Sequence, residues 1–324
     1  MTGASRSAGL YLMRGLALAG ALASAGGAFA DDALKDAAGH PVIARDASRT
    51  VAVGGSITEI LYALGAQDKI AAVDVTSQYP PQALRDKPNV GYMRQLSPEG
   101  VLGVRPSLII ATEGSGPKET LAVLEAAKIP LVLVPDHFTA DGIVEKVKIV
   151  SRSIGDNGRG TCIVNVLNAD FKALDRLRGQ IKKPVRVMFI LSFVNNRAMA
   201  AGRKTAADGI IRLAGGVNAI TDYEGYKPVG DEAIVASKPD VVLAMTRSHT
   251  DPLTAEKVFA HPALSTTPAA KQNAFHLIEA LYMLGFGPRT ALAARDLFGQ
   301  LYPSLKTEPF PSERDAGSLE SCVK

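Results

Sequence analysis

Residues 156–181 read DNGRGTCIVNVLNADFKALDRLRGQI, and this stretch decides the fold. Its apolar side chains recur at steps of three or four residues, at Ile163, Leu167, Phe171, Leu174, Leu177 and Ile181. That period is typical of one amphipathic helix, and roughly 24 residues at 1.5 Å each give a length of about 36 Å. Pro184 ends the pattern. We expect a rigid helix that resists bending and joins two lobes.

Short apolar strands alternate with helices on both sides of this stretch. The predicted strands before it are residues 49–53, 70–73, 107–111 and 131–134, and those after it are residues 185–191, 240–244 and 274–278. Strands that are apolar throughout are typical of a parallel sheet covered on both faces by helices, which indicates an α/β protein. We therefore predict an N-terminal α/β lobe at residues 31–155, a linking helix at 156–182, a C-terminal α/β lobe at 183–305 and a tail at 306–324.

A weak internal repeat supports two lobes of similar build. Residues 96–112 read LSPEGVLGVRPSLIIAT and residues 229–245 read VGDEAIVASKPDVVLAM, at an offset of 133 positions without a gap. Each copy predicts a helix with an acid in its first turn, Glu99 or Glu232, followed by an apolar strand. The loops before the two copies should face each other across a cleft, where small ligands commonly bind.

The first thirty residues predict export. Two arginines precede a small apolar run, and Ala28-Phe29-Ala30 is a typical cleavage signal, so we expect a signal peptide at 1–30 that is cut after Ala30. No cysteine lies near the cut, which argues against a lipid anchor. Without this segment the formal charge falls from +4 to +2, because the segment holds two arginines and no acid. No run of basic residues indicates nucleic-acid binding.

Cys162 and Cys322 could form a disulfide in an oxidising compartment, and the sequence leaves their pairing open. The chain lacks the G-x-G-x-x-G, P-loop and G-x-S-x-G motifs, and its five histidines form no pair with metal-ligand spacing. We therefore expect a protein without catalytic activity, while an enzyme whose site is assembled from distant residues stays as a third possibility.

Residues 89–100, NVGYMRQLSPEG, carry the most chemistry. Tyr92 follows a glycine and should lie on a loop, with Arg94 two residues further along. Ser97 as N-cap, Pro98 at the first helical position and an acid after it predict the start of a helix. The loop therefore offers a phenol and a guanidinium. Each of these residues could also be ordinary structure: a half-buried phenol, a solvated cation and an acid that complements the helix dipole.

Three stretches resemble the periplasmic haem-binding proteins of bacterial haem ABC importers. They are residues 91–100 (GYMRQLSPEG), residues 200–208 (AAGRKTAAD) and residues 285–290 (GFGPRT). The resemblance extends over residues 49–301 and implies two Rossmann-like lobes joined by one long α-helix, the class III periplasmic binding protein fold. It implies a periplasmic protein that captures haem b between its lobes. It also implies delivery to an inner-membrane ABC permease dimer with its ATPase, and we expect a monomer.

The resemblance also implies roles for particular residues. Tyr92 matches the axial ligand to the haem iron, because phenolate is a hard oxygen donor to ferric iron and a neighbouring cation such as Arg94 favours the anion. Glu99 and Glu232 match the acids that each lobe presents to the permease, where exposed charges set the docking register. From the C-terminal lobe, the candidate haem contacts are Phe193, Arg197, Tyr226 and Lys227.

One departure from the family pattern bears on stoichiometry. Some members carry His or Arg with several glycines after the Leu-Ser of the second lobe's first strand, whereas here Leu191-Ser192 is followed by FVNNR. We therefore expect one haem with Tyr92 as the only strong ligand. A ferric siderophore or a cobalamin carried by the same fold is the alternative hypothesis.

Overall fold

The computed structural model describes residues 34–246, 253–314 and 318–323. The predicted signal peptide and its cleavage site lie outside these residues. No helix in the described ranges combines the length and apolar character needed to cross a membrane.

The first lobe is built on a four-stranded parallel sheet in the order β2-β1-β3-β4. Its strands are β1 (Thr50–Val53), β2 (Ile70–Val73), β3 (Leu108–Thr112) and β4 (Leu131–Val134). Its helices are α1 (Gly55–Ala63), α2 (Gln82–Asp86), α3 (Pro98–Gly103), α4 (Lys118–Ala126) and α5 (Ala140–Ser153). The central strands β1 and β3 are buried along their whole length, which explains their continuous apolar sequence.

The long helix α6 (Asn157–Arg178) follows the first sheet and precedes the second. Its 22 residues give a length of about 33 Å. The Asp156 side chain caps it by accepting a hydrogen bond from the backbone N–H of Arg159. The helix ends three residues before the expected Ile181, because the chain turns at Gly179 and Gln180.

The second lobe is built on a mixed sheet in the order β10-β9-β5-β6-β8, with β7 paired to β5. Its strands are β5 (Arg186–Val194), β6 (Arg197–Ala201), β7 (Val217–Asn218), β8 (Tyr226–Pro228), β9 (Val241–Met245) and β10 (Phe275–Ile278). Its helices are α7 (Ala206–Leu213), α8 (Asp231–Ser237), α9 (Ala255–Phe259), α10 (Pro262–Ser265), α11 (Pro268–Lys271), α12 (Ala280–Leu284) and α13 (Thr290–Leu301).

The antiparallel part of the second sheet was not predicted. Strand β5 continues beyond its predicted end and turns into β6 at Asn195 and Asn196, whose φ angles are 50° and 56°. Two successive residues with positive φ form the tight turn of a hairpin, and asparagine tolerates that conformation well. This turn places Phe193 and Arg197 at the end of a hairpin that projects from the parallel strands.

The internal repeat is confirmed in detail. Strand β3 and strand β9 are related by the 133-residue offset at both ends, and each packs beside the first strand of its lobe. Arg105 and Lys238, also 133 residues apart, both precede a proline and both have positive φ, at 48° and 43°. The two lobes therefore share one βαβ arrangement, and Glu99 and Glu232 occupy equivalent positions in α3 and α8.

The tail is attached along α6. Phe310 is 2% exposed, and the backbone N–H of Ser312 donates to Asp170 of α6 at 3.0 Å. Cys162 of α6 and Cys322 form a disulfide, which answers the question that the sequence left open. The tail thus runs from the second lobe to the end of α6 that adjoins the first lobe.

Candidate functional site

A cleft of about 440 Å³ lies between the two lobes. Residues from the first lobe that line it are Gly54, Gly55, Ser56, Thr76, Gln78, Tyr92, Met93, Arg94, Thr112, Asp136 and Phe138. Residues from the second lobe that line it are Lys204, Thr205, Ala206, Gly225, Tyr226, Ala280, Leu281, Leu284 and Gly285. This volume falls in the range of about 300–1,000 Å³ that is usual for ligand pockets.

The carboxyl ends of the first lobe's strands position its side of the cleft. Gly54 follows β1, Thr76 follows β2, Thr112 ends β3 and Asp136 follows β4. In open α/β sheets this edge is where ligands bind, because the loops that leave the strands there are not covered by helices. By that rule the predicted strand ends point to Thr76, Thr112 and Asp136 as residues of this edge, although none of them was among the predicted contacts.

The loop that carries Tyr92 is fixed at both ends by backbone hydrogen bonds. The N–H of Val75 donates to Gly91 O at 2.9 Å, and the N–H of Gly116 donates to Met93 O at 2.9 Å. Gly91 has a φ of 97°, a conformation that favours glycine. The Tyr92 side chain is 40% exposed, and its hydroxyl has no hydrogen-bond partner among the described residues. A phenol thus extends into the cleft from an anchored loop.

The helix that follows this loop begins as predicted. The Ser97 hydroxyl accepts a hydrogen bond from the N–H of Gly100 at 3.0 Å, and Pro98 is the first helical residue. Glu99 is exposed in the first turn of α3, and Glu232 is exposed in the first turn of α8. Neither acid takes part in an ion pair within the described part of the chain.

Tyr226 faces the cleft from the second lobe and is held more tightly than Tyr92. Its ring packs edge-on against Phe189, with centroids 6.4 Å apart. Burial raises the pKa of the Tyr226 phenol, while hydrogen bonds with the Ala207 backbone and the Thr205 side chain, and the nearby charge of Arg94, partly offset that effect. The Tyr226 phenol is therefore harder to ionise than a free phenol.

Four charged groups lie at or just beneath the cleft surface. Lys146 is completely buried, and its Nζ contacts Asp136 Oδ1 at 2.8 Å and Ser56 Oγ at 3.3 Å. Lys204, immediately before α7, pairs with Glu224 at 2.9 Å and is 75% exposed, and Arg94 is exposed. The carboxylate of Asp136 is thus balanced from beneath by Lys146, and the exposed surface of the cleft offers two cations.

The remaining predicted haem contacts are not among the residues that line the cleft. Phe193 packs edge-on against His261 at 5.8 Å, and Arg197 begins β6 after the hairpin turn. Lys227 is exposed, with its Nζ 5.5 Å from the Tyr223 ring. The structure therefore brings together Tyr92, Arg94 and Tyr226, but not the other three.

Sequence reasoning missed several cleft residues. Met93, Phe138, Leu281 and Leu284 supply apolar surface on both sides of the cleft, and Lys204 supplies a cation. Lys204 lies in the AAGRKTAAD stretch, directly before Thr205, whose hydroxyl caps α7 by accepting from the N–H of Asp208 at 3.1 Å. A capping threonine marks a helix N-terminus, and this signal was present in the sequence. No group of three or more His, Cys, Asp or Glu side chains in the described residues could hold a metal ion.

Comparisons with known proteins agree with this architecture. The family model described as "Periplasmic binding protein" matches residues 50–280, and the chain belongs to that family of substrate-binding proteins. The apo periplasmic haem-binding protein RhuT from Roseiflexus sp. RS-1 is 35% identical, with a TM-score of 0.75, over 80% of this chain and 99% of that one. The periplasmic haem-binding protein BhuT, solved with two haems, is 32% identical, with the same TM-score and the same coverage.

A relative of another kind is also similar. The vitamin B12-binding protein of Vibrio cholerae is 30% identical over 200 residues, which are 60% of this chain and 70% of that protein. The class III fold, two α/β lobes joined by a long helix, is thereby established for this chain. The particular ligand has to be argued from the cleft.

Proposed function

We propose that this protein is exported to the periplasm, binds one haem in the cleft between its lobes and delivers it to an inner-membrane ABC importer. The observation that carries this proposal is the anchored loop on which Tyr92 presents a free phenol to a cleft with apolar sides and cations at its surface. Structural relatives at 32% and 35% identity that are named haem-binding proteins support it.

In this proposal Tyr92 is the ligand to the ferric iron of haem. Its hydroxyl makes no competing hydrogen bond among the described residues, so ligation does not require an existing interaction to be broken. Phenolate ligation of haem iron has precedent, and Arg94, two residues away, lines the same cleft with a positive charge. Tyr226 is a poorer candidate for the opposite axial position, because burial raises the pKa of its phenol.

The rest of the cleft matches the rest of the haem molecule. The side chains of Met93, Phe138, Leu281 and Leu284 can cover the porphyrin faces, since apolar surface removed from water stabilises a complex by about 25 cal/mol per Å². Arg94 and Lys204 can pair with the two propionates. The proposal assigns no contact to Phe193, Arg197 or Lys227, which lie outside the cleft lining.

Glu99 and Glu232 are proposed to dock the two permease subunits. They occupy equivalent positions in two lobes of like build, and both are exposed. A permease dimer with two equivalent subunits can present one basic group to each of them. Exposed charges of this kind set the register and the rate of encounter more than the affinity.

A cobalamin is the second candidate ligand, because the Vibrio cholerae relative is named for vitamin B12 binding. Titration of the purified protein with hemin, cyanocobalamin and a ferric siderophore separates the candidates. We expect hemin to bind with one equivalent and to give a tyrosinate-type ferric spectrum, while the other two leave the protein unchanged. Preferential binding of cyanocobalamin or the siderophore would overturn the assignment of haem.

A further inference from the structure

The segment Gly285–Thr290 (GFGPRT) follows α12 and begins α13, and only its first residue lines the cleft. The segment belongs to the second lobe by sequence and by packing. Its side chains nevertheless contact the first lobe at several points. These contacts lie beside the two stretches that form opposite sides of the cleft, Gly55–Ser56 and α12.

Arg289 makes a buried ion pair with the first lobe. Its backbone N–H donates to Glu59 Oε1 at 3.0 Å, and its Nη2 donates to Glu59 Oε2 at 3.0 Å. Glu59 lies on α1 and is 5% exposed. Burial raises the pKa of the Glu59 carboxyl, and the hydrogen bonds from Arg289 oppose that shift. Both carboxylate oxygens are thus held by one residue of the other lobe.

The Arg289 guanidinium also lies between two aromatic rings. Its central carbon is 3.4 Å from the ring centroid of Tyr79 in the first lobe and 5.1 Å from that of Tyr282 in α12. Cation–π contacts at these distances add attraction between a guanidinium and a ring. The same cation therefore joins α12, which lines the cleft, to the loop that follows β2.

Close packing accompanies the ion pair. The ring of Phe286, which is fully buried, contacts that of Phe138 in the first lobe at 5.1 Å. A Cβ on Gly287 would lie 3.1 Å from the Glu59 carboxylate, so glycine at this position lets the segment approach α1 closely. A Cβ on Gly55 would lie 2.5 Å from Leu281 of the second lobe, and it would also clash with the Thr76 backbone oxygen of its own lobe.

We infer that the Gly285–Thr290 segment fixes the separation of the two sides of the cleft, so that Arg289 and Glu59 act as positioning residues for ligand capture. The separation of the two lobes in the ligand-free protein is then already the one that ligand binding requires. This inference rests on the proposed function for its ligand, but the inter-lobe separation can be measured without ligand. Loss of the ion pair lets the lobes separate, and affinity falls in proportion to the fraction of molecules with the competent width.

Double electron–electron resonance, which measures the distance between two spin labels, tests the inference on the ligand-free, disulfide-bonded protein. Nitroxide labels on Val123→Cys in α4 and Val235→Cys in α8, both 46% exposed, report on the two lobes. With Arg289 and Glu59 intact we expect one narrow distance distribution. Arg289→Met and Glu59→Gln should each broaden this distribution. Of the two, Glu59→Gln keeps the side-chain shape and an acceptor for the Arg289 N–H. The control is Arg212→Met, which breaks a 3.1 Å ion pair within the second lobe and should leave the distance distribution narrow.

Hemin affinity is measured on the same variants without labels, and thermal unfolding verifies that each variant is folded. We expect the dissociation constant for hemin to rise about tenfold for Arg289→Met and Glu59→Gln, with partial recovery for Arg289→Lys, which corresponds to a tenfold smaller competent fraction. Superimposable distance distributions would overturn the inference. Broadened distributions with an unchanged hemin dissociation constant would overturn the positioning role. If the unaltered protein fails to bind hemin, the proposed function falls, while the distance distributions still test the fixed separation.

Discussion

Removal of the Cys162–Cys322 disulfide should lower the free energy of unfolding by an amount that depends on the length of the loop that the bond closes. The bond closes a loop of 160 residues. In the chain-entropy model such a loop removes about 17 cal/mol/K from the unfolded state, or about 5 kcal/mol at 25 °C, and measured values are commonly about 2–4 kcal/mol. For a domain of this size each kcal/mol shifts the unfolding midpoint by about 2–4 °C. We therefore expect Cys322→Ser to unfold about 5–15 °C lower.

Calorimetry or circular dichroism of the purified protein measures this shift. The unaltered protein treated with reductant should match Cys322→Ser, and Cys162→Ser should match both, because each lacks the same bond. Reductant should not affect Cys322→Ser, which serves as the control. The tail keeps its other attachments in the variant, including the buried Phe310 and the Ser312 hydrogen bond to Asp170. A midpoint of Cys322→Ser within about 1 °C of that of the oxidised, unaltered protein would refute the reasoning, since it would mean that the bond does not restrict the unfolded chain.

Three further predictions follow from the site. Lys146→Met should destabilise the protein by about 1–3 kcal/mol in urea unfolding, because it leaves the partly exposed Asp136 without its partner; the double variant with Asp136→Asn should recover much of the loss, and equal loss in both would contradict the pairing. Glu99→Ala with Glu232→Ala should keep hemin affinity and lose haem uptake into proteoliposomes that contain the importer; normal uptake would count against the docking role. Ser97→Ala should lower the free energy of unfolding by about 1 kcal/mol because the helix cap is lost, whereas Ser97→Thr should lower it less. An unchanged stability of Ser97→Ala would show that the cap does not stabilise the protein.

Much of the architecture was predictable because it depends on local patterns. The period of apolar residues in α6 and the Ser97 cap are properties of neighbouring residues, and the structure has both. The repeat with its 133-residue offset predicted a helix with an acid in its first turn before each of two strands, and the structure adds the paired positive φ angles at Arg105 and Lys238. Tyr92 was identified by its position on a loop and by family resemblance together.

The rest depends on contacts between distant parts of the chain. Nothing near Phe193 shows that two asparagines would turn the chain back into an antiparallel strand. The pair Glu59 and Arg289 is brought together by the packing of the two lobes across 230 positions of sequence. The pair Lys146 and Asp136 is only ten positions apart, but it depends on how α5 packs beneath the loop that follows β4. The periodicity of a single sequence indicates which face of a helix or strand is buried, but it does not indicate which other helix or strand that face packs against.

The absorption spectrum of the protein with one equivalent of hemin, compared with that of Tyr92→Phe, tests the central claim most directly. Phenylalanine keeps the ring and removes only the oxygen that is proposed to bind iron. We predict a tyrosinate-type ferric spectrum for the unaltered protein, and its loss with weaker binding in Tyr92→Phe. An unchanged spectrum and an unchanged affinity in Tyr92→Phe would contradict the account.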